Sequence, residues 1–345
     1  MTTHVKRAFK YRFYPTNAQA TELSRTFGCV RKVYNLALEA RTVAWQQRQE
    51  RVNYNATSAM LTAWKKTEEL AYLAEVSSVP LQQTLRHLQG AFTNFWNKRT
   101  KYPTFKSRKK SRKSAEYTSS AFRFRDGRLT LAKMDQPLDI VWSRPLPEGS
   151  VPSTVTVSQD AAGRWFVSML CDDQPTMPEA VHAAVGIDAG ITSLVTLSTG
   201  EKITNPRHER KDRERLAKAQ RELSRKAKGS NNRAKARIKV ARTHARIADR
   251  RRDFLHKLTT RLVRENQTIV IAVDQWFPSS KTCSACGAPA DAMPLSVREW
   301  TCRCGAVHDR DINAARNILA AGLAVSACGD GVRPARAAAH AGSRR

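Results

Sequence analysis

The pattern of apolar and polar positions changes character several times along this chain. Residues 5–14, Val-Lys-Arg-Ala-Phe-Lys-Tyr-Arg-Phe-Tyr, alternate basic with apolar or aromatic side chains, which predicts a strand with one basic face. Pro15-Thr16-Asn17 ends it and offers a helix N-cap. Apolar residues then recur at helical spacing through Leu23, Phe27, Val30, Val33, Tyr34 and Leu38. Two more helical stretches are expected near 56–70 and 79–99, the second carried by Leu81, Leu85, Leu88, Phe92 and Phe95. Residues 17–99 therefore read as a helical bundle inserted after the first strand. A basic loop, 98–113, follows. Strand-like segments return at 121–132, 138–142, 153–158 and 164–171, with Asp126-Gly127 as a hairpin turn. With the first strand they are expected to close a small β-barrel from 1–16 plus 100–175, and 172–182 reads as a linker.

From residue 183 the pattern is different. Val185-Gly-Ile-Asp-Ala-Gly190 reads as a buried strand and a tight glycine turn, with a second strand and a hairpin up to Gly200. Residues 207–265 predict two long helices around the break Lys228-Gly-Ser-Asn-Asn232. Leu216, Leu223, Ile238, Phe254, Leu255, Leu258 and Leu262 are their expected inner seam. The strand Thr268-Ile-Val-Ile271 runs straight into Ala272-Val-Asp-Gln-Trp-Phe-Pro-Ser-Ser280. The tail, 329–345, is rich in Gly, Ala and Arg and is expected to be flexible. The fold class expected is α+β.

Charge narrows the function. The 345 residues hold 60 Lys+Arg against 30 Asp+Glu, a formal charge of +30. Such an excess calls for a polyanion, most simply nucleic acid. Roughly twenty of the basic residues fall within 207–265, far more than solubility needs. No apolar run reaches the ~18 residues that a membrane span needs, and the first residues contain no apolar signal-peptide segment. A cytoplasmic location is expected, where disulfides are rare.

Four of the seven cysteines form two close pairs, Cys283-x-x-Cys286 and Cys302-x-Cys304, fifteen residues apart. Four thiolates so spaced suit a tetrahedral zinc ion. Gly287 and Gly305 follow the pairs and permit tight backbone that points N–H groups at sulfur. With no open coordination position, this zinc is expected to fold a ribbon, 276–305, and do no chemistry. Cys29, Cys171 and Cys328 lie far from the cluster and are read as plain thiols. Asp188 closes a strand beside a glycine turn, and Asp309 and Asp311 precede Asn313-Ala-Ala-Arg-Asn317, where a helix starts. On residues alone, Asp188 is either a turn carboxylate or an active-site acid. Asp309 and Asp311 are either helix caps or site acids.

The block from Pro278-Ser-Ser-Lys-Thr-Cys to Asp309-Arg-Asp-Ile-Asn-Ala-Ala-Arg-Asn317 resembles the end of the TnpB family, transposon-encoded RNA-guided DNA nucleases. Lys10-x-Arg12-Phe-Tyr-Pro-Thr16 and Arg31-Lys-Val-Tyr-Asn35 look like that family's N-terminus, and the resemblance covers nearly the whole chain. It implies a RuvC-type, RNase H-like domain over 183–275 plus 306–325. Asp188 and Asp311 would then be two of three acids holding two Mg²⁺, with Asp309 auxiliary. It implies as partners a guide RNA from the transposon end and a double-stranded DNA target with a short flanking motif. No membrane partner is implied, and location at the bacterial nucleoid is. Tyr54 and Gln82 match positions that read the motif. Lys109, Lys110, Arg112, Arg225, Lys226, Arg250 and Arg251 are the expected backbone contacts.

One element of the family's pattern is missing. Its third acid is a Glu ending a strand of the form Ile-Val-Ile-Glu-Asp-Leu, followed by a helix and another strand. The matching position here is Ala272, as if an internal deletion had fused two strands. Asp274 lies two residues on, about 6.6 Å along a strand. Metal–oxygen bonds of about 2.1 Å do not tolerate that offset without a register shift. The expectation is a guided DNA-binding protein with impaired cleavage. The alternatives are an active endonuclease using Asp274 or a decayed transposon copy. A lost core helix would also leave apolar sheet surface uncovered.

Overall fold

A computed structural model describes residues 5–109, 111–174, 181–271, 277–290, 293–294 and 296–327. Contacts divide the chain into two compact units, one from Met1–Thr176 and Arg225–Arg242, the other from Met177–Ser224 and Thr243–Arg345.

The first unit begins with β1 (Val5–Tyr14), whose alternation puts Phe9, Tyr11 and Phe13 into the core. Helix α1 (Asn17–Arg48) starts with a capping box: Thr16 accepts from the Gln19 N–H, and the Gln19 side chain accepts from the Thr16 N–H. Every apolar residue expected on its inner face is buried, from Leu23 to Leu38. Asn53 caps α2 (Tyr54–Trp64), a 3₁₀ turn follows at Glu68–Ala74, and α3 (Ser78–Trp96) buries Leu81, Leu85, Leu88 and Phe92. The inserted bundle is thus present, with its second expected helix split in two.

The strands of this unit are β2 (Lys113–Thr118), β3 (Phe122–Arg125), β4 (Arg128–Leu131), β5 (Asp139–Val141), β6 (Thr154–Gln159) and β7 (Trp165–Asp173). Among the described residues they do not close the expected barrel. The sheet is five-stranded and antiparallel, in the order β2-β6-β7-β1-β5, with β2 and β5 at its edges. The β3–β4 hairpin forms a sheet of its own and turns at Asp126 (φ 50°) and Gly127 (φ 71°), the left-handed pair that a two-residue turn needs. Strand β2 was not expected; it extends from the end of the basic loop.

The second unit contains β8 (Ala184–Ala189), β9 (Ser193–Leu197), β10 (Lys202–Thr204), β11 (Thr268–Val270), β12 (Glu299–Thr301) and β13 (Val307–Asp309). Its helices are α4 (His208–Ser224), α5 (Asn231–Glu265, which begins in the first unit) and α6 (Arg310–Ala327). The main sheet has the order β10-β9-β8-β11, with β8 and β11 parallel and the other pairs antiparallel. On one face Val185, Ile187 and Leu197 pack with Leu262 and Leu258 of α5. The opposite face of β8 receives α6. There Gly186 has no room for a side chain: a Cβ would lie 2.1 Å from the Ala315 carbonyl oxygen. At the other end of α6 the Val270 side chain occupies the space a Cβ on Gly322 would need. Two glycines therefore let helix and sheet meet closely. The expected seam of α4 and α5 is only partly right. Ile238 and Leu255 are exposed, whereas Thr243, Ile247 and Leu262 are buried. Asp212 of α4 is buried and pairs with Arg250 of α5 at 2.9 Å, so an ion pair shares in joining them.

Candidate functional site

The four cysteines converge as their spacing predicts. Their sulfurs lie within 4.8 Å of one another, with Cys283–Cys304 at 3.8 Å and Cys286–Cys302 at 3.7 Å. A tetrahedral ion with metal–sulfur bonds of about 2.3 Å has an S···S edge of about 3.8 Å, so the set fits one ion. Gly287 (φ 74°) and Gly305 (φ 87°) make the tight turns behind the pairs. Burial raises the Cys283 thiol, but the backbone N–H groups of Cys286 and Ala285 and the His308 ring outweigh it, bringing its pKa down to about 6. His308 is buried, with Nε2 3.0 Å from the Cys283 sulfur and its ring 4.9 Å from that of Trp300. It supports the sulfur from outside the cluster, as partners of metal ligands commonly do.

The ribbon is tied to α6 by two buried asparagines. Asn313 Nδ2 donates to the Thr282 carbonyl (2.8 Å), and Asn313 Oδ1 accepts from the Ser284 N–H (2.9 Å). Asn317 Nδ2 donates to the Ser279 and Thr282 carbonyls (2.7 and 2.6 Å). Residues i and i+4 share one helix face, so the spacing in Asn313-Ala-Ala-Arg-Asn317 carries this role. The spacing is visible in the sequence, whereas its backbone partners in the ribbon are set by the fold.

Asp188 and Asp311 are brought together by the packing of α6 on β8. Asp188 lies two residues after Gly186 and so on the same strand face, toward α6. Asp311 stands in the first turn of α6, where a helix N-terminus favours an anion. Burial raises the pKa of Asp188, the Asp311 carboxylate raises it further, and Arg310 opposes both. Arg298 approaches Asp311 at 3.7 Å. Asp309 has a different task. Its Oδ1 accepts from the N–H groups of Asp311 and Ile312, and Lys202 binds its other oxygen. Burial pushes its pKa up, but Lys202 and the two backbone donors prevail and hold it below the usual carboxylate range. Asp309 therefore caps the helix that presents Asp311. Among the described residues the four cysteines are the one group of three or more potential metal ligands close enough to share an ion. Ala272 and Asp274 lie outside the described residues. Ile271, at the end of the edge strand β11, is 62% exposed.

The expected nucleic-acid contacts are scattered. Tyr54, at the start of α2, lies against Arg86 of α3, whose guanidinium is 5.5 Å from the ring centre and whose Nε donates to the Tyr54 hydroxyl at 3.4 Å. Gln82 is exposed one turn before Arg86, so α3 presents both beside Tyr54. Arg86 was not singled out in the sequence. Lys109, Arg112, Arg225 and Lys226 are exposed, and Lys110 lies outside the described residues. Arg250 is paired with Asp212, and Arg251 stands 3.8 Å from Glu209, so both have partners within the chain.

Comparison with known proteins places the chain. Residues 166–273 match the family described as "Probable transposase", 1–50 a "Helix-turn-helix domain" and 252–318 a "Cas12f1-like, TNB domain". A Streptomyces pristinaespiralis protein is 66% identical over 99% of this chain and 96% of its own length. An Escherichia coli K12 relative is 32% identical over 96% of each. The chain belongs to the TnpB family. Both relatives bear the name "Putative RNA-guided DNA endonuclease", the second with the addition InsQ. The first alignment spans 384 positions against the 345 residues of this chain, so at least 39 positions face no residue here. A chain of the cryo-EM CRISPR-Cas12f ternary complex superposes with a TM-score of 0.33 at 13% identity, over 88% of this chain and 82% of that one.

Proposed function

We propose that this protein is an RNA-guided DNA-binding member of the family whose cleavage is impaired or lost. The observation that carries the reading is an acid pair, Asp188 and Asp311, with no third potential metal ligand close enough to share an ion among the described residues. The unmatched alignment positions support it, as does exposed Ile271 beside the place where the covering segment is expected. The sheet order, with one parallel pair and an acid on β8, supports an RNase H-like, RuvC-type domain. The ion in the cysteine cluster is zinc in this reading, structural and closed to substrate.

Two carboxylates fit one Mg²⁺ that shares a substrate phosphate. A two-ion clamp needs the third acid. When bound, the metal supplies activation of water and stabilisation of the leaving oxygen. The chain's own part is positional. Asp309 fixes the start of α6, Gly186 lets Asp311 approach Asp188, and the asparagines lock the ribbon to the same helix. The basic surface holds the guide and target backbones. Tyr54 and Gln82, with Arg86 against the tyrosine, read the flanking motif in the cytoplasm at the nucleoid. Among the described residues no helix is long and apolar enough to cross a membrane.

The test is purified protein with its transposon-end RNA, Mg²⁺ and matching plasmid flanked by randomised sequence. Guide-dependent binding without cutting is expected. Cutting that disappears in Asp188→Ala would overturn the impairment and point to Asp274 as substitute acid. Failure to retain RNA or to bind the target would overturn guided binding.

A further inference from the structure

The second unit holds a cavity of about 610 Å³ that the acid pair and the ribbon do not use. Four arginines and one glutamate line it: Arg207, Glu209, Arg210 and Arg213 around the start of α4, and Arg251 from α5. Among the described residues, the guanidinium groups of Arg207, Arg210 and Arg213 have no carboxylate partner, and Glu209 reaches Arg251 only at 3.8 Å. The apolar wall comes from Phe254 and Leu194. His208 meets Phe254 edge-on at 6.1 Å, and its buried Nε2 has no hydrogen-bond partner. Leu194 reaches this wall through a defect in the sheet. Ile203 pairs with Val195 but Thr204 pairs with Ser193, so Leu194 is the extra residue of a bulge, a device that re-aims a side chain. Its carbonyl accepts from the Gly190 N–H at 3.3 Å. Gly190 follows Asp188 by two residues, just past the end of β8.

We infer that this cavity takes one nucleotide of a single-stranded nucleic acid, its phosphates on Arg207, Arg210 and Arg213 and its base against Phe254. The volume falls within the range of small-ligand sites. Cationic walls around one aromatic face are the chemistry of single-strand binding. A duplex does not enter, because its bases are stacked within it. The strand is either displaced DNA or guide RNA, both offering the same phosphate and base. The inference rests on the proposed guided binding for the source of the strand, whereas the binding itself needs neither cleavage nor a guide.

The experiment uses the full chain without guide. Fluorescein-labelled dT12, U12 and an abasic 12-mer are titrated by anisotropy across a salt series. Phe254→Leu is expected to weaken dT12 or U12 about fivefold to a hundredfold and leave the abasic strand unchanged. Arg210→Ala with Arg213→Ala is expected to flatten the log–log salt slope by about 1.4, at roughly 0.7 per lost contact. Stronger loss for dT12 assigns the strand as DNA, and stronger loss for U12 as RNA. Equal affinity of wild type and Phe254→Leu for every probe would overturn the inference. A bromodeoxyuridine 12-mer crosslinked to the wild type guards against misfolded variants: adducts on His208 or Phe254 support the site, and adducts confined elsewhere refute it. Guided target binding that survives in Phe254→Leu while this assay fails would sink the cavity reading alone.

Discussion

Gly186→Ala is the most informative single perturbation. The added Cβ would lie 2.1 Å from the Ala315 carbonyl oxygen and 2.8 Å from Leu319 Cβ. Ordinary contact requires about 3.2 Å or more, so α6 must withdraw by about 1 Å. The nearest atom is backbone and has no rotamer to swing away. Leu319→Ala in the same chain therefore gives little rescue. Overpacking of this kind costs about 1–3 kcal/mol, and the rigid neighbour puts this case in the upper half. For a unit of this size the melting temperature should fall by roughly 4–12 °C. Differential scanning calorimetry reads it. Gly90→Ala is the control, because its Cβ meets nothing within 4 Å and a helical Gly→Ala gains up to about 1 kcal/mol. The same displacement moves Asp311 from Asp188, an error that can cost about a hundredfold in rate if any cutting exists. A Gly186→Ala protein as stable as wild type would refute the close packing of α6 on β8.

Three further outcomes are expected. Cys283→Ser should lose bound zinc, read by a colorimetric release assay, and lower the melting temperature together with it; retained stoichiometric zinc would refute the ligand set. Asp309→Ala should destabilise α6 by about 1–2 kcal/mol through loss of the cap and the Lys202 pair, with Asp309→Asn milder; equal losses in urea titrations would refute the capping role. In metal-free buffer Asp188→Asn should gain stability over wild type as pH rises. The folded pKa of Asp188 lies above its unfolded value, so its favourable contribution is full below about pH 3.8 and is lost as pH rises through the folded pKa. A stability difference independent of pH between 3.5 and 7 would contradict the burial and the Asp311 contact.

Local signals carried far in this chain, and distant partners did not. Alternation in β1, the Asp126-Gly127 turn and the Cys pairs each encode their outcome within a few residues. Strand β2 was hidden because Lys113 ends a run of cations and only pairing with β6 reveals it. Barrel closure failed as an expectation because strand periodicity says nothing about which edges meet. The seam of α4 and α5 misled at Ile238 and Leu255, since apolar spacing does not reveal that buried Asp212 and its arginines share the contact. Within the site, the Cys spacing predicted the cluster, but the support of Cys283 by His308 and of Asp309 by Lys202 rests on residues brought together by the fold. The asparagine pair was visible as i, i+4 spacing, and its partners were not.

The acid pair is assembled across the chain, from β8 and from the helix that follows the ribbon. At about 5–20 residues per second, synthesis takes on the order of 6–25 s to pass from Asp188 to Asp311. During that interval the Gly186 face of β8 has no α6 to cover it. A chain halted after Cys304 but before residue 310 carries the basic helices and both cysteine pairs but lacks the second carboxylate. Such a fragment cannot form the acid pair, so the covered sheet face and the carboxylate pair are both completed only in the last stretch of synthesis.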